Sequence, residues 1–219
     1  MSTVFIPAKG QSSRIPRKNL TELGGYPLLW WTLKICQQWE VVEEIYVATE
    51  DPEIEYLALQ HGANIYPLQQ ADVDDKRTVS YLWKEFCEHR QGCQILMHPT
   101  SPFRQIQELQ SAWEQYQTGQ YDVIISVREE RRMIIGANNK PIISWEERMT
   151  RLTQTAQPFY IPDGSFYISD SSFVSRCSYF EEGRTLPFPL STISCIEIDT
   201  PEDLELARIV ANYKNSISR

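Results

Sequence analysis

Four cations, Lys9, Arg14, Arg17 and Lys18, fall within ten residues with no acid among them, in a chain of formal net charge −8. Gly10, Ser12 and Ser13 are interleaved with them. Glycine lets the backbone turn closely, and N–H and hydroxyl groups donate to phosphate oxygens. A triphosphate brings about four negative charges, which such a cluster can offset together with a metal ion. A solvated basic loop is the other reading of this cluster. Its position after a first strand, where open α/β sheets bind ligands, brings the phosphate reading level with that one. The segment is neither Gly-x-Gly-x-x-Gly nor a loop ending in Gly-Lys-Ser/Thr, so dinucleotide binding and P-loop chemistry are not indicated.

Three further constellations carry candidate chemistry. His98-Pro-Thr-Ser-Pro-Phe-Arg104 is stiffened by two prolines; Thr100 and Ser101 present hydroxyls, and the Arg104 fork suits a carboxylate or phosphate. A proline-rich turn in which Arg104 caps a neighbour is the alternative. Asp163-Gly-Ser-Phe-Tyr167 pairs an acid with a glycine that lets backbone approach a ligand; a plain turn into a strand fits it equally. Glu197 and Asp199 stand two apart on an expected strand, which directs both carboxylates to one face. Such hard oxygens suit Mg²⁺, and an acidic strand edge with Asp199 capping the next helix is the alternative.

Taken in order, the basic loop, the 98–104 segment, Asp-Gly-Ser-Phe-Tyr-Ile at 163–168 and Glu-Ile-Asp-Thr-Pro-Glu-Asp-Leu at 197–204 resemble the acylneuraminate cytidylyltransferase family, the CMP-sialic acid synthetases. The resemblance spans nearly the full length. It implies transfer of CMP from CTP to the anomeric hydroxyl of a nonulosonic acid, with release of pyrophosphate and a need for Mg²⁺. It implies nucleotide contacts at Ala8, Lys9, Gly10, Ser12, Arg14, Lys18 and Asn19. The acceptor side would involve His98, Thr100, Ser101 and Arg104, with Gln154, Asp163, Gly164 and Tyr167. Glu197 and Asp199 would hold the metal, and Arg14, Lys18 and Asp199 are the expected catalytic residues. The chain departs from the family pattern at several places. Lys9 stands for Arg, His98 for Gln, Asp163 for Asn and Glu197 for Asp, and Leu152-Thr153-Gln154 stands where Arg-Arg-Gln is usual. These substitutions fall mostly on the acceptor side. They leave open a related nucleotidyltransferase with another acceptor or nucleotide, or a non-catalytic nucleotide-binding module.

The elements that must position these residues follow from hydrophobic periodicity. Expected strands cover 3–8, 44–49, 64–68, 94–97 and 121–127, and expected helices cover 27–39, 52–61, 78–89 and 105–117. This alternation predicts an α/β fold of Rossmann-like nucleotidyltransferase type, with a mainly parallel sheet covered by helices on both faces. The rhythm changes after Arg131. A hairpin is expected around Asn138-Asn139, then an irregular stretch over 145–162, so that 131–162 forms a small antiparallel excursion. Met133, Ile134, Ile135, Ile142, Ile143 and Trp145 would give it an apolar surface for a homodimer, or else complete the core. Strands are expected at 165–168 and 194–199. Thr200-Pro201-Glu202-Asp203 opens a terminal helix, with Thr200 as N-cap and Pro201 at the first helical position. One domain over 1–219 is the expectation.

Composition narrows the partners. A pI near 5 argues against wrapping a nucleic acid, while a small acidic sugar and a nucleotide need only local positive potential. The five cysteines are widely spaced and contain no Cys-x-x-Cys pair, which fits a reducing compartment. No long apolar segment suggests a membrane span or a signal peptide, and a cytoplasmic location is expected.

Overall fold

The computed structural model describes residues 2–69, 72, 78–142, 156–177 and 182–217. In chain order these form β1 (Ser2–Pro7), a 3₁₀ turn (Lys18–Leu20), β2 (Glu22–Leu23), β3 (Tyr26–Pro27) and α1 (Leu28–Gln38). There follow β4 (Glu44–Thr49), α2 (Pro52–Gln60), β5 (Asn64–Pro67), α3 (Val79–Glu88), β6 (Cys93–Met97) and α4 (Ile106–Gln117). The remainder comprises β7 (Val123–Glu130), β8 (Phe159–Asp170), α5 (Ser171–Arg176), β9 (Thr185–Pro189) and α6 (Pro201–Ile217).

Seven strands make one sheet in the order β5-β4-β1-β6-β8-β7-β9, and β2 pairs with β3 in a small antiparallel ribbon. β8 is antiparallel to both of its neighbours, and the other pairings are parallel. The mainly parallel sheet expected from the alternation is therefore present, with one reversed strand inserted near its right-hand edge. Successive side chains of β1 show why both faces are covered. Val4 and Ile6 pack with α1, α2 and α4 through Leu29, Leu33, Ile54 and Leu109. Phe5, pointing the other way, packs with Leu82, Trp83 and Phe86 of α3. Each large side chain buried in this way contributes about 1.5–3 kcal/mol relative to exposure.

The structure corrects several elements. Residues 194–199 are not a strand; turns such as Cys195 N–H to Ser191 O and Ile196 N–H to Ile193 O shape the segment. The last strand is β9, which carries Pro187 and Pro189 and lies at the sheet edge, where a missing N–H is tolerated. β8 begins at Phe159, so the end of the expected irregular stretch is strand. Around Asn139, whose φ is 59°, the expected turn closes with a single antiparallel bridge between Ile135 and Pro141. Gln154, Ile143, Ser144 and Trp145 lie outside the described residues.

Candidate active site

The four sequence segments converge at the carboxyl end of the parallel strands. The chain leaves β1 at Pro7 and runs to β4 on one side, whereas β6 lies on the other side of β1. That divergence opens the crevice in which such sheets bind ligands. The segment after β6 begins at His98. Phe166 of the reversed β8 pairs with Met97, so Asp163-Gly164-Ser165 enters beside it. Ile198 N–H donates to Thr100 O at 2.8 Å and ties the acidic segment to the same place. Packing reinforces the convergence. Ile15 of the basic loop, Phe103, Ile198, and Leu204, Ala207 and Ala211 of α6 share one buried apolar cluster.

In the basic loop, Ala8 N–H continues the strand pairing to Ala48 O at 2.8 Å. The chain then bends at Gly10, whose N–H donates to Glu50 Oε1 at 2.8 Å. Asn19 is nearly buried and donates its amide to Lys9 O at 2.8 Å, so it braces the loop from inside. Lys18 opens the 3₁₀ turn and donates Nζ to Ile198 O and to Asp199 Oδ1, each at 3.0 Å. Arg14 approaches the same carboxylate oxygen at 3.2 Å and leaves more than half of its side chain to solvent. Basic loop and acidic segment thus meet at Asp199. Beside them Gly10, Gln11, Ser12, Pro16, Arg17 and Asp51 line an open groove of about 420 Å³.

On the other side, Arg104 departs from its expected role. Its guanidinium is buried, and it donates to the main-chain oxygens of His98, Ser101 and Ser165 and to Thr32 Oγ1. Burial pushes its pKa down to about 10. With its fork engaged by these oxygens, Arg104 builds the pocket wall. Asp163 braces the same wall through one of its two carboxylate oxygens. Its Oδ1 accepts from Ser126 Oγ at 2.5 Å and from Ser165 N–H at 3.0 Å, which makes it a buried strut of the turn. Ser126, at the bulge where β7 slips register on β8, was missed in sequence. The available signal was a polar residue inside the apolar run Val-Ile-Ile-Ser-Val, which must find a partner when buried.

That strut holds Gly164 at φ +71°, where a β-carbon would lie 2.9 Å from His98 Nδ1 and 3.3 Å from Glu197 Oε1. Backbone, imidazole and carboxyl therefore meet at one point. Burial, then the Arg104 charge, push His98 down to about 4, so its imidazole is neutral. Its Nε2 is enclosed with no hydrogen-bond partner among the described residues. The His98 and Tyr167 ring centroids are 6.2 Å apart. Burial, then Asp163 and Glu197, raise the Tyr167 hydroxyl. Thr100 Oγ1 lies 3.5 Å from Glu197 Oε1, while the Ser101 hydroxyl is buried without a partner among the described residues.

Glu197 and Asp199 reach the site from an irregular segment rather than a strand face. Burial, then the charges of Asp199 and Asp163, raise Glu197 above the ordinary carboxylate range. Among the described residues no group of three or more His, Cys, Asp or Glu is placed to hold a metal alone. Two crowded carboxylates still fit a magnesium ion, which takes one or two carboxylates and completes its shell with phosphate and water.

Comparison with known proteins adds an independent line. A sequence model described as cytidylyltransferase matches residues 3–163. The CMP-N,N'-diacetyllegionaminic acid synthase of Legionella pneumophila is 30% identical over 213 residues, covering 92% of each chain. A pseudaminic acid cytidylyltransferase of Campylobacter jejuni is 24% identical over 220 residues, covering 94% of each. Among solved structures, a CMP:2-keto-3-deoxy-manno-octonic acid synthetase complexed with CTP superposes with a TM-score of 0.73 at 16% identity. The match covers 97% of this chain and 99% of that one, a likeness of fold.

Proposed function

The chain belongs to the cytidylyltransferase family, and from that premise we propose that it transfers CMP from CTP to the anomeric hydroxyl of a sialic-acid-like nonulosonic acid, releasing pyrophosphate. The observation that carries this reading is the meeting of Arg14 and Lys18 with Asp199, which joins the phosphate-binding loop to the acidic segment. The names of the two relatives support CMP as the transferred group and a nonulosonic acid as its acceptor.

The acceptor oxygen attacks the α-phosphorus in line with the departing bridging oxygen. A new O–P bond forms, the α–β phosphoanhydride bond breaks to release pyrophosphate, and the hydroxyl proton passes to solvent water. Little covalent chemistry falls to the protein, so positioning and charge stabilisation dominate. Lys9, Arg14 and Lys18 hold the phosphates and offset the charge that gathers on the leaving pyrophosphate. Gly10 and Ser12 let the loop close on them. His98, Thr100, Gly164 and Tyr167 shape the acceptor side, and Arg104 and Asp163 fix that wall from behind. Glu197 and Asp199 would hold Mg²⁺, which supplies Lewis-acid polarisation of the phosphoryl oxygen and lowers the pKa of a hydroxyl bound to it. A homodimer formed through the 131–162 excursion is part of the same reading, supported by exposed Ile135 and Ile142.

Pyrophosphate release measured across four nucleoside triphosphates and a panel of keto-acid sugars tests the assignment. CTP with a nonulosonic acid is the expected active pair. Another productive pair would reassign the substrates, and nucleotide binding without any pyrophosphate release would overturn the enzymatic reading. Arg14→Ala and Asp199→Asn should each lower turnover by about 100-fold, the scale of removing one charge-stabilising group.

A further inference from the structure

Arg14 and Lys18 meet Asp199, whereas Arg17 is paired elsewhere. It adopts a left-handed backbone, φ 53° and ψ 38°. Its NH1 donates to Glu53 Oε1 at 2.9 Å, and its NH2 lies 3.1 and 2.9 Å from the two oxygens of Asp51. Asp51 is at the same time the N-cap of α2, its Oδ1 accepting from Glu53 N–H at 2.9 Å and Ile54 N–H at 3.2 Å. It also packs on the beginning of the loop. A β-carbon on Gly10 would lie 2.6 Å from Asp51 Cβ, an atom fixed to the backbone that cannot swing aside. The neighbouring Glu50 accepts the Gly10 N–H. The corner between β4 and α2 therefore grips the loop at both ends, at Gly10 and at Arg17.

We propose that Asp51 is a positioning residue for nucleotide binding. By capping α2, clamping Arg17 and packing on Gly10, it sets the shape of the loop, and Arg17 serves that clamp rather than a phosphate. The proposal rests on the reading of this loop as the triphosphate site. Its physical basis is preorganisation. Four like charges in a short segment repel, and a loop already closed by an acid from outside orders at less cost when the nucleotide arrives. Loss of the clamp should weaken binding while leaving the chemical step almost untouched, because the bound nucleotide restores the loop before the reaction.

Asp51→Asn separates these roles, since asparagine caps a helix as well as aspartate and keeps the side-chain size. Arg17→Met removes the other partner. Titration calorimetry with CTP on the wild type, both single variants and the double variant gives the test. Each single variant should bind CTP about ten-fold more weakly, the scale of one lost charge-assisted contact. The double variant should be no weaker than either, because both changes break one clamp. The kcat at saturating CTP should stay within about two-fold of wild type. Unchanged affinity in Asp51→Asn would overturn the proposal. So would weakening in Arg17→Met alone, which would make Arg17 a direct phosphate ligand. A wild-type chain that binds no nucleotide would overturn the triphosphate reading itself, an outcome distinct from either.

Discussion

Arg104 shows how a buried cation can build the wall of a site. Its donors are directed to the main-chain oxygens of His98, Ser101 and Ser165, which belong to two different segments of the pocket wall. Arg104→Met should therefore destabilise the fold by about 3 kcal/mol, since buried carbonyls lose their donor. Urea unfolding measures this, and a loss within about 0.5 kcal/mol would mean that water replaces the guanidinium. Arg104→Lys should recover only part, because an ammonium cannot reproduce the fork. His98 supplies a pH signature. Its imidazole titrates near 6.5 when exposed and about 4 in the folded chain, where burial dominates. Between those values the unfolded chain binds more protons, so the contribution of His98 to stability falls as pH drops through that window. In urea titrations over this range, His98→Gln should lose less stability on acidification than wild type. Equal slopes in the two proteins would place the imidazole in water.

At the scale of elements, the start of α6 carries the acidic segment. Asp203 Oδ2 accepts from Thr200 N–H and Oγ1, and Thr200 Oγ1 accepts from Asp203 N–H, a reciprocal capping arrangement. The same oxygen accepts from Asp199 N–H at 3.0 Å, so the cap also orients the residue that meets Arg14 and Lys18. Asp203→Ala should cost about 1 kcal/mol of stability, the usual worth of a cap. It should lower turnover more than Thr200→Val does, because only the former releases the Asp199 backbone. Steady-state kinetics on the two variants separate these effects, and equal turnover would confine Asp203 to helix stability. Thr200 and Pro201 were legible in sequence because capping is local chemistry. β9 was hidden by its prolines, and the irregular path of 194–199 was hidden because alternating residues imitate a strand.

For the whole molecule, the proposed homodimer is the expectation that isolated chain geometry does not supply. Ile135 and Ile142, each more than half exposed, flank the turn at Asn139. Analytical ultracentrifugation should find a dimer for the wild type and a monomer for Ile142→Asp; a monomeric wild type would refute the excursion as an interface. The alternation of apolar strands and amphipathic helices was enough to specify a mainly parallel α/β sheet, because burial on both faces imposes that pattern locally. The clustering of Lys9, Arg14 and Lys18 and the acids at Glu197 and Asp199 were likewise visible as residue types. Tertiary structure decided which groups meet across the crevice and which brace its wall. It turned Arg104 onto main-chain oxygens, set Asp163 against the Ser126 hydroxyl and Ser165 N–H, gave Arg17 to Asp51, and brought Lys18 to Asp199 across 181 residues of sequence. The reason is physical: a pattern of residue types reports how a segment folds on itself, whereas the partner of a buried charge is chosen by whatever distant segment packs against it.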